Sequence, residues 1–571
     1  MGEAAPVAKF PPLLTAAQMR AADAAASATF GIPSLLLMEN AGRGVADIAR
    51  VELGGAGQGT VAVVCGAGAN GGDGFVAARH LALAGIAVRV VIAAPRDKIH
   101  GDAATMLAAL ERMGSVTVED GSGWSEPARW GAALAGAVVI VDALFGIGVR
   151  GAVGGVPGAA IAAMNAARAR KLAVDVPSGL DADSGRAEGA VFCADVTATM
   201  GERKLGLYLD ADAPVGRVEV VGLGVPLPTA GAGARSFLLD GPAVAARLPR
   251  RSSSAHKTSS GHVLVVAGSP GKTGAAVLVG QAALRAGAGL VTLASTAAGQ
   301  KALDAKVVEV MTAAYASSDA GDAQAAARAI AKLAARAQAI VIGPGIPTGD
   351  RMRDVVRTVA ATAPQPMVLD ADALNALATD APSVLVQAAA PRVLTPHPGE
   401  MGRLTGAATA VVQADRLGHA TRLAAATRAI VVLKGARTVI AAPNGETYIS
   451  PISCAALATA GSGDVLAGVI GALLARGCDA LAAAQCAVYV HGVAGIDLAA
   501  GLGDGVAAGD LPAAIAAVIA RLARLARLAR LQRGEASGQP PAAPLRRPAG
   551  RGRGSRPQRP SSPTPRRRPR R

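Results

Sequence analysis

The stretch Ala458-Thr459-Ala460-Gly461-Ser462-Gly463-Asp464-Val465-Leu466-Ala467-Gly468 leads small residues and glycines straight into an apolar run, 465–475, long enough for a helix. The backbone N–H groups of Gly461, Ser462 and Gly463 would then stand unpaired at the positive pole of a helix, a place suited to phosphate oxygens. Asp464, on the first turn, is placed to take a proton from a hydroxyl attacking a phosphoryl group. An ordinary turn and helix cap would use the same residues, so the surrounding loops must decide.

Those loops follow apolar runs that read as strands. In the first half, Gly66-Ala67-Gly68-Ala69-Asn70-Gly71-Gly72-Asp73-Gly74 satisfies GxGxxG, with a helix expected from Phe75. A dinucleotide site would also carry an acid at the end of the next strand, which here reads Val91-Ile92-Ala93-Ala94-Pro95. A standard NAD dehydrogenase is therefore disfavoured, while a phosphate- or sugar-binding loop survives. Asp142 through Gly151 and Asp175-Val176-Pro177-Ser178-Gly179 follow two more strand ends. Asn70, Asp142 and Ser178 offer hard oxygen ligands for an alkali or alkaline-earth cation. Each alone reads as a turn; three at consecutive strand ends favour a site.

In the second half, Gly268-Ser269-Pro270-Gly271-Lys272-Thr273 fails as a P-loop because position 266 is Val266. Ile342-Gly343-Pro344-Gly345, Leu369-Asp370-Ala371-Asp372 and Thr395-Pro396-His397-Pro398-Gly399-Glu400 follow further strand ends. Asp370, Asp372 and Glu400 suit magnesium held mostly through water, and Lys434-Gly435-Ala436-Arg437-Thr438 suits a nucleotide phosphate.

The elements that must position these loops alternate strand and Ala-rich helix, the pattern of α/β layers with mostly parallel sheets. Strands are expected at 61–65, 87–93, 137–141 and 171–176, then at 262–267, 290–293, 339–342, 367–369, 393–395 and 429–433. Polar passages place a domain boundary between about 225 and 250. Of the formal net charge of +16, residues 533–571 carry +11, with twelve Arg and one Glu. Arg521, Arg524, Arg527 and Arg530 add four more, leaving residues 1–520 at +1. The body therefore offers no general nucleic-acid-binding surface, and the Arg/Pro-rich tail, 532–571, is expected to be disordered and to bind polyanions weakly. Leu522, Leu525, Leu528 and Leu531 alternate with those arginines and could cover the core. Five scattered cysteines without CxxC spacing, no leader-like N-terminus and no run of about 18 apolar residues point to the cytoplasm and away from membranes.

Residues 10–225 resemble the NAD(P)H-hydrate epimerases through Thr15 and Gln18, Leu37-Met38-Glu39-Asn40-Ala41-Gly42, the Asn70–Gly74 loop, the Asp142 loop and the Asp175 loop. That resemblance implies a Rossmann-like three-layer domain that interconverts R and S NAD(P)H hydrated at C6 of the nicotinamide (NADHX and NADPHX). It implies potassium on Asn70, Asp142 and Ser178, a catalytic Asp142, and a hydrate site formed by Ala69, Asn70, Gly71, Gly72, Asp73, Gly146, Ile147, Gly148, Val149, Arg150, Gly151, Ala152 and Asp175. The family's usual second Asn before Asn70 is here Ala69. Residues 240–531, after a linking segment 226–260, resemble the ribokinase-like ADP-dependent NAD(P)H-hydrate dehydratases through His256-Lys257, 282–289, 395–400 and 457–468. This implies ADP on Lys434, Gly435, Ala436, Arg437, Thr438, Gly461, Ser462 and Gly463, and the hydrate on Ala276, Gly345, His397 and Asp464, with magnesium. Ser453-Cys454 replaces the family's Gly-Asn. The expected reaction phosphorylates the hydroxyl of the S hydrate and eliminates phosphate, releasing AMP and phosphate. A vitamin kinase of the hydroxymethylpyrimidine or pyridoxal type is the competing enzyme reading, and nucleic-acid binding through the tail the competing non-enzyme one. A homo-oligomer is compatible with the sequence.

Overall fold

Seven parallel strands of the first half form one sheet, and twelve strands rooted in the second half form another. The computed structural model describes residues 8–54, 59–226, 233–252, 254–316 and 322–532; the tail from 533 onward lies outside them. The described residues up to Ala526 pack as one compact unit.

The first sheet runs Thr117–Asp120, Ala87–Ile92, Thr60–Cys65, Ala137–Ala143, Arg170–Val174, Val196–Met200, Arg217–Val221 in spatial order. Its central strands are apolar and buried on both faces, as helix-covered parallel strands require. From Thr60–Cys65 the chain first builds outward on one side, then crosses back to Ala137–Ala143 on the other. This is the switch point at which open α/β sheets bind ligands, and Asn70 and Asp142 sit beside it.

The second sheet begins Met311–Ala316, Leu290–Thr296, His262–Val266, Ala339–Ile342, Met367–Leu369, Arg392–Leu394, Ile430–Leu433, all parallel. It continues antiparallel through Val439–Ala441 and Thr447–Ile449. All ten strands expected from the sequence are present, within three residues at each end.

The expected domain boundary is not a boundary of this sheet. Ser236–Leu238 pairs with Thr447–Ile449, Pro12–Leu14 pairs with Ser236–Leu238, and Arg203–Lys204 pairs with Pro12–Leu14. Phe237 stacks on Tyr448 at 5.3 Å, and Phe10 meets the same ring edge-on at 5.6 Å. A second-half fragment begun at 240 loses both aromatic pairs, each worth about 0.5–1.5 kcal/mol beyond burial, and bares the Thr447–Ile449 edge. Fragment 233–532, which keeps Phe237, is expected to unfold at higher denaturant than 240–532; equal midpoints would show that the added strand contributes nothing.

Two expectations about helices are corrected. The helix after Thr60–Cys65 starts at Ala69, not Phe75, so Asn70 to Asp73 are its first turns. The glycines there answer to packing: a Cβ on Gly71 would lie 2.1 Å from the Gly66 carbonyl oxygen. In Leu511–Gln532, Leu522 is buried but Leu525, Leu528 and Leu531 are at least half exposed. Three-residue spacing rotates each successive leucine about 60° around the helix, so the stripe turns off the core. Among the described helices, Ala480–Leu502 belongs to the one segment long and apolar enough to cross a bilayer; Ala483, Cys486, Ala487 and Val490 pack it into the second-half core.

Candidate active sites

A cavity of about 1060 Å³ opens at the switch point of the first sheet. Of the residues expected to meet the hydrate, Ala69, Asn70, Asp73, Gly146, Ile147, Gly148, Val149, Arg150, Ala152 and Asp175 line it. Gly71, Gly72 and Gly151 do not: the first two are buried in the helix start. Gly146 lies between the Asp175 carboxylate and the Asn70 amide oxygen, 3.1 and 3.2 Å from where its Cβ would be, so no side chain fits there without filling the site.

Asp142, expected to be catalytic, stands apart from the cavity. It is fully buried and does not line the cavity. Its carboxylate accepts from the Ser178 hydroxyl at 2.7 Å, the Ser178 N–H at 2.8 Å and the Leu144 N–H at 3.2 Å. Ser178 in turn accepts from the Phe145 N–H at 2.9 Å, which fixes the loop that carries Gly146. Burial raises the Asp142 pKa to about 6 against the pull of those hydrogen bonds. No ion pair reaches Asp142 among the described residues, and the amide nitrogen of Asn70 is buried without a partner. The oxygens of Asp142, Ser178 and Asn70 are of the hard type that a monovalent cation takes.

Asp175 adopts φ 67°, a strained conformation for a residue with a side chain, and pairs with the buried Lys204 at 2.5 Å. Sequence spacing gives no sign of Lys204, nor of Asp23, Ser27, Met200 and Leu223, which also line or support the cavity. Met38, inside a motif singled out from the sequence, lines it as well.

In the second half, the helix Ser462–Ala475 begins one turn earlier than the apolar run, behind Gly461 at φ 90°. The Ser462 N–H donates to the Thr459 carbonyl at 3.3 Å, and its hydroxyl is buried against His491 Nε2 at 3.2 Å. The Ser462 N–H and hydroxyl are thus engaged within the protein, whereas the N–H groups of Gly461, Gly463 and Asp464 have no acceptor among the described contacts. Burial holds His491 down at about 4, so the ring that props this turn is neutral.

Lys434 reaches the same point. Its Nζ lies 2.8 Å from Asp370 and 3.6 Å from Glu400, and 3.3 Å from where a Gly463 Cβ would be. Thr395 donates to the same Asp370 oxygen at 2.7 Å. Desolvation opposes its charge, but Asp370 and Glu400 raise the lysine above its ordinary range. Burial first, then the Asp370 charge, lifts Asp464 to about 7, with Lys434 pulling it down and Asp372 and Glu400 adding to the rise. A carboxylate poised near neutrality at a helix N-terminus suits a general base.

Other expected contacts are placed differently. Asp370, Asp372 and Glu400 do not form a cation cage: Lys434 and Lys272 take their oxygens, and no metal-holding group occurs among the described residues. His397 caps its own helix, accepting from the N–H groups of Gly399 and Glu400, with an exposed ring. Ala276 is fully buried, while Gly345 packs over the Lys272 turn. Arg437 donates to the Leu207 carbonyl at 2.6 Å, Thr438 to that of Gly435 and Arg416 to that of Ala436, while Gly435 and Ala436 themselves are exposed. Arg437 and Ala371 join Asp175 as strained residues at these loops.

The comparisons with known proteins fall on the same division. The NAD(P)H-hydrate dehydratase family matches residues 263–517, and the YjeF-related protein N-terminus matches residues 34–206. A bifunctional NAD(P)H-hydrate repair enzyme of Moorella thermoacetica is 43% identical over 504 residues, 87% of this chain and 95% of the relative. The chain belongs to the bifunctional NAD(P)H-hydrate repair enzymes. It is an NAD(P)H-hydrate epimerase fused to an NAD(P)H-hydrate dehydratase. A relative of the same description from Salinibacter ruber is 38% identical, covering 85% of this chain and 91% of its own length. Among solved structures, the ADP/ATP-dependent NAD(P)H-hydrate dehydratase of Bacillus subtilis, co-crystallised with ATP and Mg2+, is 30% identical; it covers 50% of this chain and 98% of its own, with a TM-score of 0.42.

Proposed function

We propose that the 1060 Å³ cavity is the epimerase site and the Gly461–Asp464 helix start the dehydratase site, each working on hydrated NADH or NADPH. The observation that carries the second assignment is the convergence of Asp464, Lys434 and the free N–H groups of Gly463 and Asp464 at one point. There Asp464 takes the proton of the C6 hydroxyl as it attacks the terminal phosphoryl group of ADP. The N–H groups hold the phosphoryl oxygens, and Lys434 offsets their charge. Phosphorylation, which leaves AMP, makes the hydroxyl a good leaving group; loss of phosphate from C6 and of a proton from C5 restores the dihydropyridine. A second cavity of about 510 Å³ lined by Ser453, Cys454, Ile496 and Asp504 takes the adenosine, so the Ser453-Cys454 departure lies at the base. Magnesium enters with the nucleotide phosphates, whose charge it offsets, because the protein acids are already paired.

In the epimerase site, Asn70, Asp142 and Ser178 hold potassium, which neutralises the buried carboxylate and stiffens the Phe145–Gly146 turn. The N-terminus of the helix Ala69–Leu83 and the Gly146–Ala152 loop hold the hydrate. The enzyme so described acts on small molecules in the cytoplasm.

Gly146→Leu should fill the space between Asp175 and Asn70. The expected result is loss of R-to-S conversion with unchanged dehydration of pure S hydrate, followed by chromatography of the epimers. Wild-type epimerisation in this variant would remove the cavity from the mechanism.

A further inference from the structure

Four carboxyl groups line the epimerase cavity: Asp102 accepts from the Ser34 hydroxyl at 2.5 Å, and the other three differ in their surroundings. Asp175 pairs with Lys204 and also accepts from the Met200 N–H at 3.2 Å, so its oxygens are already engaged by the protein. Asp73 is buried in the first turns of its helix, and desolvation, then Asp175, push it well above the carboxylate range, so it keeps its proton. Asp23 comes from a different element, the helix Ala16–Phe30, which Thr15 and Gln18 start with a capping box. Met19 and Ala26, three to four residues either side, anchor that face in the core, and Ser27 lines the cavity one turn on. Asp23 lines it too, and its Oδ1 is buried without any partner. A buried carboxyl oxygen left unpartnered is costly unless something outside the protein completes it.

We propose that Asp23 is the proton-transfer residue of epimerisation, acting on the C6 hydroxyl of the hydrate. The inference rests on the cavity being the epimerase site. In the forward step the Asp23 carboxyl proton passes to the hydroxyl, the C6–O bond breaks, water leaves, and the N1 lone pair forms a C6=N1 iminium. In the return step water adds to the opposite face of C6, the π pair returns to N1, and the released proton goes back to the Asp23 carboxylate. Atoms and charge balance without oxidant or co-reactant, and the Asp175 carboxylate offsets the transient cation. Burial raises Asp23 to about 6, with Lys204 lowering and Asp175 raising it, so both protonation states are present near neutrality. Asp73, Asp175 and Lys204 act on it, and Asp102 and Arg150 line the same cavity from other elements.

The test uses the full chain with the R hydrate, following R-to-S conversion by chromatography above the uncatalysed rate. Asp23→Asn is expected to lower epimerisation kcat by about 10²-fold or more, with KM little changed, and to abolish the pH dependence centred near 6. Asp23→Glu should restore part of both. Dehydration of S hydrate reports that each variant is folded. Wild-type kcat in Asp23→Asn with an inactive Gly146→Leu would overturn the role of Asp23 alone; wild-type epimerisation in both would overturn the cavity assignment as well.

Discussion

Asp464→Asn is expected to slow dehydration of the S hydrate by about 10²–10⁴-fold, the range for loss of a general base, and to leave epimerisation untouched. The asparagine keeps the size of the side chain and removes a carboxyl crowded by Asp370, Asp372 and Glu400, so the variant should unfold no earlier than the parent. Burial, and after it the Asp370 charge, sets the pH dependence. A base must be deprotonated to act, and this one is raised to about 7. The wild-type rate should therefore climb with pH through 7 and fall about tenfold per unit below it. Return of dihydropyridine absorbance from S hydrate and ADP measures both. More than half the wild-type rate in Asp464→Asn would remove it as the base.

Lys434→Met should have the second largest effect, on stability as well as rate. Lys434 stands between Asp370 and Glu400, whose side chains are 1% and 6% exposed. Removing one partner from a buried ionic group leaves uncompensated charge and costs about 3–5 kcal/mol. Its loss also removes the one charge that lowers Asp464, so the surviving dehydratase rate should need a higher pH. Denaturant midpoints and a pH–rate profile check the two effects together; an unchanged midpoint would mean that the acids find other compensation.

The parallel strands were legible because strands buried on both faces run as short apolar blocks, as in Thr60–Cys65 and Ile430–Leu433. Pro12–Leu14, Arg203–Lys204 and Ser236–Leu238 were not, since two or three residues carry no periodicity. Their pairing is what carries the second sheet into the first half. Around Gly71 the sequence reads as a loop, and only the close approach of the Gly66 carbonyl shows why glycines open a helix there. Asp464 and Asn70 stand out because they sit in glycine-rich turns. Asp23 hides in an alanine-rich helix, and Lys204 and His491 are lone residues whose roles come from burial against groups distant in the chain. Nor does anything local show that Ser462 turns to Thr459 and His491.

The central claim is that one chain holds two separate sites, the first supplying the second with the epimer it consumes. The most direct measurement gives a mixture of R and S hydrates with ADP to the wild-type chain and to Gly146→Leu, and follows both epimers to completion. Two sites in sequence predict that the wild type consumes both epimers, while Gly146→Leu stops when S is exhausted and leaves R in solution. Consumption of R by Gly146→Leu at the wild-type rate would contradict the account.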